Sequence, residues 1–172
     1  RPLVRLLLEN CGAAVIGPDA AACFLADNKA AAKRKLADSG IPVPPGIVIR
    51  AASWELPAWL RPPLVLKPAF EHMSRGVRVA RSEPEAREAA SELLETLRQP
   101  ILVETFIPGR ELAVSLLEGP GGIEALPVLE WSSGGSGADI LTERFKLMDP
   151  QSADRGVARA ALSSTQARAI DS

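Results

Sequence analysis

The residues best suited to chemistry begin at Lys67, which closes an apolar run and precedes a polar loop. Residues 64–66 read Leu-Val-Leu and predict a buried strand that ends at Lys67-Pro68. Residues 71–76, Glu-His-Met-Ser-Arg-Gly, link it to a second predicted strand. Backbone N–H groups of such a loop can surround phosphate oxygens while an ammonium supplies a point charge. The pattern indicates either a phosphate site or a surface hairpin whose lysine is solvated.

A second cation, Lys29, lies in the first turn of a predicted helix, where it opposes the helix dipole. Basic residues usually favour the opposite end of a helix. Lys33, Arg34 and Lys35 follow in the same helix. The segment is therefore either a solvated basic face or a site for polyphosphate.

Two carboxylates flank a predicted turn. Glu104 ends the apolar strand "ILVETF", and Glu111 begins the next strand seven residues later. With the apolar pair Phe106-Ile107 between them, they are suited to an adenine stacked on apolar side chains and a ribose bound by a carboxylate. The alternative is a pair of edge-strand charges that oppose aggregation.

The histidine, one further lysine and the two cysteines are the remaining candidate residues, and the histidine count excludes two kinds of active site. His72 is the sole histidine, so a metal site built on several histidines is excluded, and no Ser-His-Asp arrangement can be argued around it. Lys146 lies among charged neighbours in "TERFKLMD" and by itself indicates nothing. Cys11 and Cys23 are interpreted as small buried apolar residues.

The predicted elements that would position these residues are mixed helices and strands. Helices are expected from the amino terminus to Gly12, at residues 20–25, at 28–39 with Asp27 as N-cap, and from a capping box at Ser82 and Glu85. Strands are expected in "AAVIG" (13–17), at 47–49, 64–67, 77–80 and 101–106, and in "ELAVSLL", "IEALPVLEW" and "ILTERFKLMD". Residues 54–60 are expected to form a short helix or turn, and "SSGGSG" (132–137) a mobile loop. The order predicts an α+β fold, mostly antiparallel after residue 60, in two lobes that meet near residue 107.

Composition narrows the class of protein. The chain has 172 residues and a net charge of −1, which argues against nucleic acid or an anionic membrane as partner. No apolar run approaches the roughly 20 residues needed to span a bilayer. Two cysteines are too few for a disulfide framework, so a cytoplasmic setting is expected. The chain begins at Arg1 inside a predicted helix and ends soon after a helix start, so we expect both ends to be truncated.

These motifs, in this order, resemble the ATP-grasp fold and most closely its D-alanine–D-alanine ligase branch. The resemblance rests on "DNKAAAKRKLADSGIPVPP", "PLVLKPA", the loop Glu-x-x-Ser-x-Gly and "VETFIPGRELAVSLL", and extends from about residue 3 to 149. It implies two α+β lobes clasping ATP. Residues 1–25 would be the carboxy-terminal part of an α/β preATP-grasp domain, 26–107 the small central lobe, and 108–172 an incomplete carboxy-terminal lobe.

The resemblance also implies roles for individual residues. Lys29 and Lys67 resemble the two lysines that hold the α- and β-phosphates, and the loop with Glu71, Ser74 and Gly76 resembles the flap over them. Glu104 with the Phe106-Ile107 backbone resembles the adenine-reading hinge, and Glu111 the ribose carboxylate. Lys146 resembles the lysine near the γ-phosphate and, with Ser74, is the predicted catalytic residue.

The implied function is an ATP-dependent carboxylate–amine ligase that forms a peptide-like bond through an acyl phosphate. Partners would be ATP, Mg²⁺ and amino acids or small carboxylates, for peptidoglycan synthesis in a homodimer. The magnesium ligands are expected downstream of this chain, so no metal ligand is predicted within it and the chain alone is expected to be inactive.

Two departures from the family pattern keep other functions open. His72 and Met73 replace small residues of the loop, and the chain has no tyrosine, which leaves D-alanine specificity in doubt. The alternatives are a non-catalytic or regulatory ATP-binding module and a purely structural domain.

Overall fold

A four-stranded antiparallel sheet organises the first of two units into which the chain divides, at Ile107 and Pro108. The structure, a computed structural model, describes residues 2–132 and 156–171. The sheet contains β1 (Gly46–Ile49), β2 (Leu64–Pro68), β3 (Arg78–Ala80) and β4 (Ile101–Thr105) in the spatial order β1-β4-β2-β3. These four strands confirm the expected ones to within one or two residues.

The two faces of this sheet have different roles because side chains alternate along each strand. Leu64 and Leu66 of β2 and Ile101 and Val103 of β4 are fully buried and belong to the hydrophobic core. The residues between them therefore point to the opposite face. Lys67 and Glu104 lie on that opposite face.

Helix α4 (Glu83–Leu97) covers the core face of the sheet. Ala86, Ala90 and Leu93 are its buried residues, at the spacing of one helical face. Ser82 is the N-cap and accepts a hydrogen bond from the Glu85 N–H, while the Glu85 carboxylate accepts from the Arg81 N–H at 2.8 Å. The predicted capping box and buried face are confirmed.

Three helices precede the sheet: α1 (Pro2–Asn10), α2 (Ala20–Asp27) and α3 (Lys29–Asp38). The prediction of Asp27 as the N-cap of α3 is wrong. Asp27 ends α2, and the side chain of Asn28 accepts from the Ala31 N–H instead. Asn28 is the single residue between the two helices, so it is both the C-cap of α2 and the N-cap of α3.

The predicted strand in "AAVIG" is also wrong, because residues 13–16 have no regular structure and Ile16 is fully exposed. A strand requires a hydrogen-bonded neighbour, and none is found beside this segment within residues 2–132 and 156–171. Residues 54–60 form turns rather than a helix, with a hydrogen bond from the Leu60 N–H to the Pro57 carbonyl at 2.9 Å.

The two cysteines also differ from expectation. Cys11, just after α1, is exposed, and Cys23 of α2 is only half-buried. The interpretation of both as buried apolar residues is therefore wrong. Both side chains carry free thiols.

The second unit contains short antiparallel strands. They are β5 (Glu111–Ala113), β6 (Leu116–Gly119), β7 (Gly122–Ala125), β8 (Leu129–Ser132) and β9 (Gly156–Arg159), followed by α5 (Ser164–Asp171). β5-β8-β9 form one sheet and β6-β7 a hairpin. "ELAVSLL" and "IEALPVLEW" are each divided into two strands, the latter near Pro127, which cannot donate to a ladder. Residues 133–137 and the predicted strand "ILTERFKLMD" lie outside the described residues.

The observed architecture is α+β with antiparallel sheets, as predicted. In the described part of the chain, every helix is too short or too polar to cross a bilayer.

Candidate functional site

Lys67 and Glu104 form an ion pair on the face of the sheet opposite the core. β2 and β4 pair with Val65 opposite Glu104 and Lys67 opposite Leu102, so Lys67 and Glu104 are diagonal neighbours. The Lys67 Nζ lies 2.8 Å from Glu104 Oε2. The Glu104 side chain is 4% exposed and that of Lys67 34%, so the lysine can still contact a ligand.

The other oxygen of Glu104 contacts Lys33, which in the sequence is one of three closely spaced basic residues. The Lys33 ammonium donates to Glu104 Oε1 and to the Pro44 carbonyl. Lys33 lies four residues after Lys29 in α3, on the same side of the helix. The spacing from Lys29 is the only sequence feature that points to Lys33, and it does not predict which carboxylate Lys33 will pair with.

Gly46 makes room for this arrangement. It pairs with Glu104 across β1 and β4. A Cβ at Gly46 would lie 2.9 Å from Glu104 Cγ and 3.0 Å from Glu104 Cα, and would also collide with the Val103 carbonyl. The carboxylate therefore has its position because a glycine stands beside it.

Lys29 brings the start of α3 to the end of β2. Its backbone N–H donates to the Ala69 carbonyl at 3.0 Å, and its ammonium donates to the Glu71 carbonyl. Lys29 is therefore hydrogen-bonded to the residues that directly follow Lys67 in the sequence. The start of α3 thus lies against residues 69–71, the segment that continues from β2.

The loop at residues 71–76 is held by hydrogen bonds within it and by one from Gln99, which follows α4. The Glu71 carboxylate accepts from Gln99 Nε2 at 2.9 Å and pairs with Arg75 at 3.2 Å. The Ser74 carbonyl accepts from the Val77 N–H at 3.1 Å. Met73 and Ser74 have φ values of 55° and 60°, in the left-handed region that costs energy for side chains other than glycine.

Gly76 ends this loop with a close approach to the core. Its φ is 69°, and a Cβ would lie 2.8 Å from Pro68 Cγ and 3.0 Å from Leu97 Cδ1. A larger residue would push the loop away from α4. The contacts account for a glycine here without requiring a phosphate, so its predicted role toward phosphate stays a prediction.

His72 is the exposed tip of the loop and faces the end of α2. Its Nε2 lies 3.6 Å from Asp27 Oδ1, with the imidazole side chain 42% exposed. This distance is longer than a hydrogen bond, so the two side chains are neighbours and no hydrogen bond joins them.

The predicted adenine hinge follows β4. The Phe106 N–H donates to the Pro63 carbonyl at 3.0 Å, which fixes the chain as it leaves the sheet. Ile107 is 60% exposed, and no hydrogen bond to its backbone is found among the described residues.

The second unit contains the predicted ribose carboxylate, Glu111, at the start of β5 and paired with Trp131 of β8. Its neighbour Arg110 forms a bidentate salt bridge with Glu130. The Arg110 Nε donates to Glu130 Oε1 at 2.7 Å, and Nη2 donates to Oε2 at 2.6 Å. These hydrogen bonds hold the pKa of Glu130 below its usual range and raise the pKa of Arg110. Lys146 lies outside the described residues.

The cluster of Lys33, Glu104 and Lys67 has one net positive charge on a partly exposed sheet face, which suits an anionic ligand. The predicted roles of Lys67 toward phosphate and of Ile107 toward adenine stay predictions. Among the described residues, no group of three His, Cys, Asp or Glu side chains is arranged to hold a metal ion.

Comparison with known proteins identifies relatives of this chain. The family model "D-ala D-ala ligase C-terminus" matches residues 36–171. A D-alanine–D-alanine ligase of Geobacter sulfurreducens is 37% identical over 132 residues, which covers 74% of this chain and 42% of that protein.

Solved structures show the same fold. A D-alanine–D-alanine ligase from Bacillus anthracis complexed with ATP has a TM-score of 0.73 and 19% identity, over 98% of this chain and 50% of that one. The VanG D-Ala:D-Ser ligase from Enterococcus faecalis has a TM-score of 0.76 and 22% identity, over 98% and 49%. The chain thus spans about half the length or less of the proteins it matches.

Proposed function

The chain belongs to the D-alanine–D-alanine ligase family of ATP-grasp proteins, and from this we propose that it carries nucleotide-binding residues of an ATP-dependent carboxylate–amine ligase. The single observation that carries the proposal is the Lys67–Glu104–Lys33 cluster, in which a buried carboxylate and two ammonium groups leave one net positive charge. The ATP complex of the Bacillus anthracis relative supports ATP as the nucleotide.

In the proposed reaction, the carboxylate of one substrate attacks the γ-phosphorus of ATP, giving an acyl phosphate and ADP. The amine of a second substrate then attacks the acyl carbon, and inorganic phosphate leaves as the amide forms. Charge repulsion between the carboxylate and the triphosphate opposes the first step, so the protein must supply cations. We assign that task to Lys67 and Lys29, with Lys146 as a further cation at the γ-phosphate.

The remaining proposed roles concern the nucleoside and the loop. The Ile107 N–H would bind adenine, with Phe106 beside it, and Glu111 would bind the ribose. Glu104, expected from the sequence to bind adenine, is buried against Lys33 and Lys67, so we assign it to holding the Lys67 ammonium in place. The loop with Glu71, Ser74 and Gly76 would cover the phosphates and exclude water from the acyl phosphate. Magnesium would supply additional charge neutralisation when bound.

The substrates are proposed as amino acids or small carboxylates, with cytoplasmic ATP as the energy source. D-alanine would link the protein to peptidoglycan synthesis, in a homodimer as in the branch it resembles. The VanG relative is a D-Ala:D-Ser ligase, so relatives of one fold differ in the second amino acid.

A second candidate is an ATP-binding module without ligase activity. Met73 favours it, because its large side chain is exposed in the loop expected to close over phosphate. Such a side chain takes up space that backbone N–H groups would need to approach the phosphate oxygens closely.

The test compares wild-type complete protein with Lys67→Ala and with Lys35→Ala, which removes an exposed lysine of α3. ATP affinity and ADP release are measured against a panel of D- and L-amino acids and small carboxylates. We expect ADP release to fall by about a hundredfold or more in Lys67→Ala because a positioned cation is lost, and to be unchanged in Lys35→Ala.

Intact ATP affinity and turnover in Lys67→Ala would show the phosphate assignment to be wrong. ATP binding by the wild-type protein without ADP release on any substrate would favour the binding module.

A further inference from the structure

Glu104 is held between two lysines, and the two contacts differ in what they leave for a ligand. Lys67 contacts Oε2 and keeps a third of its side chain exposed. The side chain of Lys33 is 18% exposed, and its ammonium donates both to Oε1 and to the Pro44 carbonyl. Lys33 is therefore committed to the protein, whereas Lys67 can still reach outward.

The charges of this cluster depend on Lys33. With it, the group of three carries one net positive charge. Without it, Lys67 and Glu104 would form a pair with no net charge. A phosphate approaching Lys67 would then be repelled by the Glu104 carboxylate, which lies 2.8 Å from the Lys67 Nζ and would have no second lysine to offset its charge. A buried carboxylate repels an anion more strongly than an exposed one because water screens it less.

The position of Lys33 is fixed by its surroundings. Asn28 caps the helix that carries it, and the Pro44 carbonyl anchors its ammonium from the segment that enters β1. Gly46, two residues later, leaves the space that Glu104 occupies. Helix, proline segment and glycine together hold one ammonium against one carboxylate oxygen.

We propose that Lys33 is a positioning residue that offsets the charge of Glu104 and so keeps the Lys67 ammonium available to the phosphates of the nucleotide. This inference rests on the proposed ATP site and adds to Lys67, Lys29 and Lys146 a fourth cation, which acts through Glu104. Lys33 does not contact the ligand. Its effect should therefore increase with the phosphate charge of the nucleotide and should be small for a nucleoside.

The test uses Lys33→Met, Lys33→Arg and a matched control, Arg34→Met, in the complete protein. Arg34 is the next residue of α3, is exposed, and has no ion pair within the described residues. Calorimetry measures the dissociation constants of ATP, ADP and adenosine for each variant. We expect Lys33→Met to weaken ATP binding by about tenfold, ADP binding by less than ATP binding, and adenosine binding by less than about twofold.

Lys33→Arg should stay within about threefold of wild type, because it restores the charge, and Arg34→Met should match wild type. Equal weakening of adenosine and ATP by Lys33→Met would indicate a general structural role and would overturn the proposal. An unchanged ATP affinity would overturn it as well.

A measurement without nucleotide separates this inference from the proposed function. The anionic amine reagent trinitrobenzenesulfonate is applied to the free protein, and the labelling rate of Lys67 is read by peptide mass spectrometry. We expect slower labelling in Lys33→Met than in wild type and Arg34→Met, and an equal rate would overturn the proposal. If the wild-type protein binds no ATP, the proposed function fails, while the labelling still decides whether Lys33 controls the charge at Lys67.

Discussion

At the scale of single residues, the burial of Glu104 is the feature that needs a physical cause. An ionised carboxylate is costly to bury unless it is paired and hydrogen-bonded. Glu104 is 3% exposed and meets Lys33 and Lys67 on its two oxygens. The cluster therefore satisfies the carboxylate and presents a cation at the surface of the sheet.

Gly46→Ala tests the packing beside this carboxylate. The added Cβ would lie 2.9 Å from Glu104 Cγ, so either β1 moves away from β4 or the carboxylate leaves its lysines. We expect a loss of about 1–3 kcal/mol in the free energy of unfolding, the usual cost of overpacking. Urea unfolding measures it.

Gly121→Ala is the matched control, because a Cβ at Gly121 meets nothing within 4 Å. If both substitutions leave the free energy of unfolding unchanged, Glu104 is not confined by β1.

The sequence allowed some of this cluster to be predicted. A lysine at the end of an apolar strand and an acid at the end of another are visible as patterns, and these patterns mark Lys67 and Glu104 as candidates. No pattern marks Lys33, because it is one of several adjacent basic residues and only tertiary packing distinguishes it. The contact of the Lys29 ammonium with the Glu71 carbonyl likewise depends on a distant loop.

At the scale of elements, the start of α4 shows how local chemistry fixes a boundary. The Glu85 carboxylate accepts from the Arg81 N–H and from the Ser82 hydroxyl at 3.0 Å. These bonds favour the ionised form and lower the pKa of Glu85. The capping box is a short-range pattern, which is why the sequence predicted it correctly.

Glu85→Gln should make the pH dependence of stability visible. The pKa of Glu85 is lower in the folded than in the unfolded state, so its contribution is present above the unfolded pKa and is lost as pH falls through the folded pKa. We expect the variant to be less stable than wild type at neutral pH, with a difference that shrinks on acidification. Urea unfolding at several pH values measures it.

Glu88→Gln is the control, since this exposed glutamate of α4 has no hydrogen bond or ion pair among the described residues. A stability difference between wild type and Glu85→Gln that does not change with pH would contradict the capping role.

Elements without such local signals were predicted less well. "AAVIG" is apolar and short, and nothing in its composition tells whether a neighbouring strand exists to pair with it. "ELAVSLL" was expected as one strand, but β5 ends at Ala113 and β6 begins at Leu116. Alternation predicts which face a side chain occupies, but not where a ladder is interrupted.

At the scale of the whole molecule, fold and family were accessible because four motifs occur in order over most of the chain. The substrates were not, because the chain spans only about half the length or less of its matches. The nucleotide is therefore the ligand that can be tested most directly.

Addition of ATP and magnesium should raise the melting temperature of the complete protein. A ligand that binds only the native state stabilises it by about 2.7 kcal/mol at one hundred times its dissociation constant. Differential scanning fluorimetry with ATP, ADP and adenosine measures the shift, which should be largest for ATP and should be nearly abolished in Lys67→Ala. Because a purely structural domain gains nothing from the nucleotide, an unchanged melting temperature at millimolar ATP would favour that function over a ligase or an ATP-binding module.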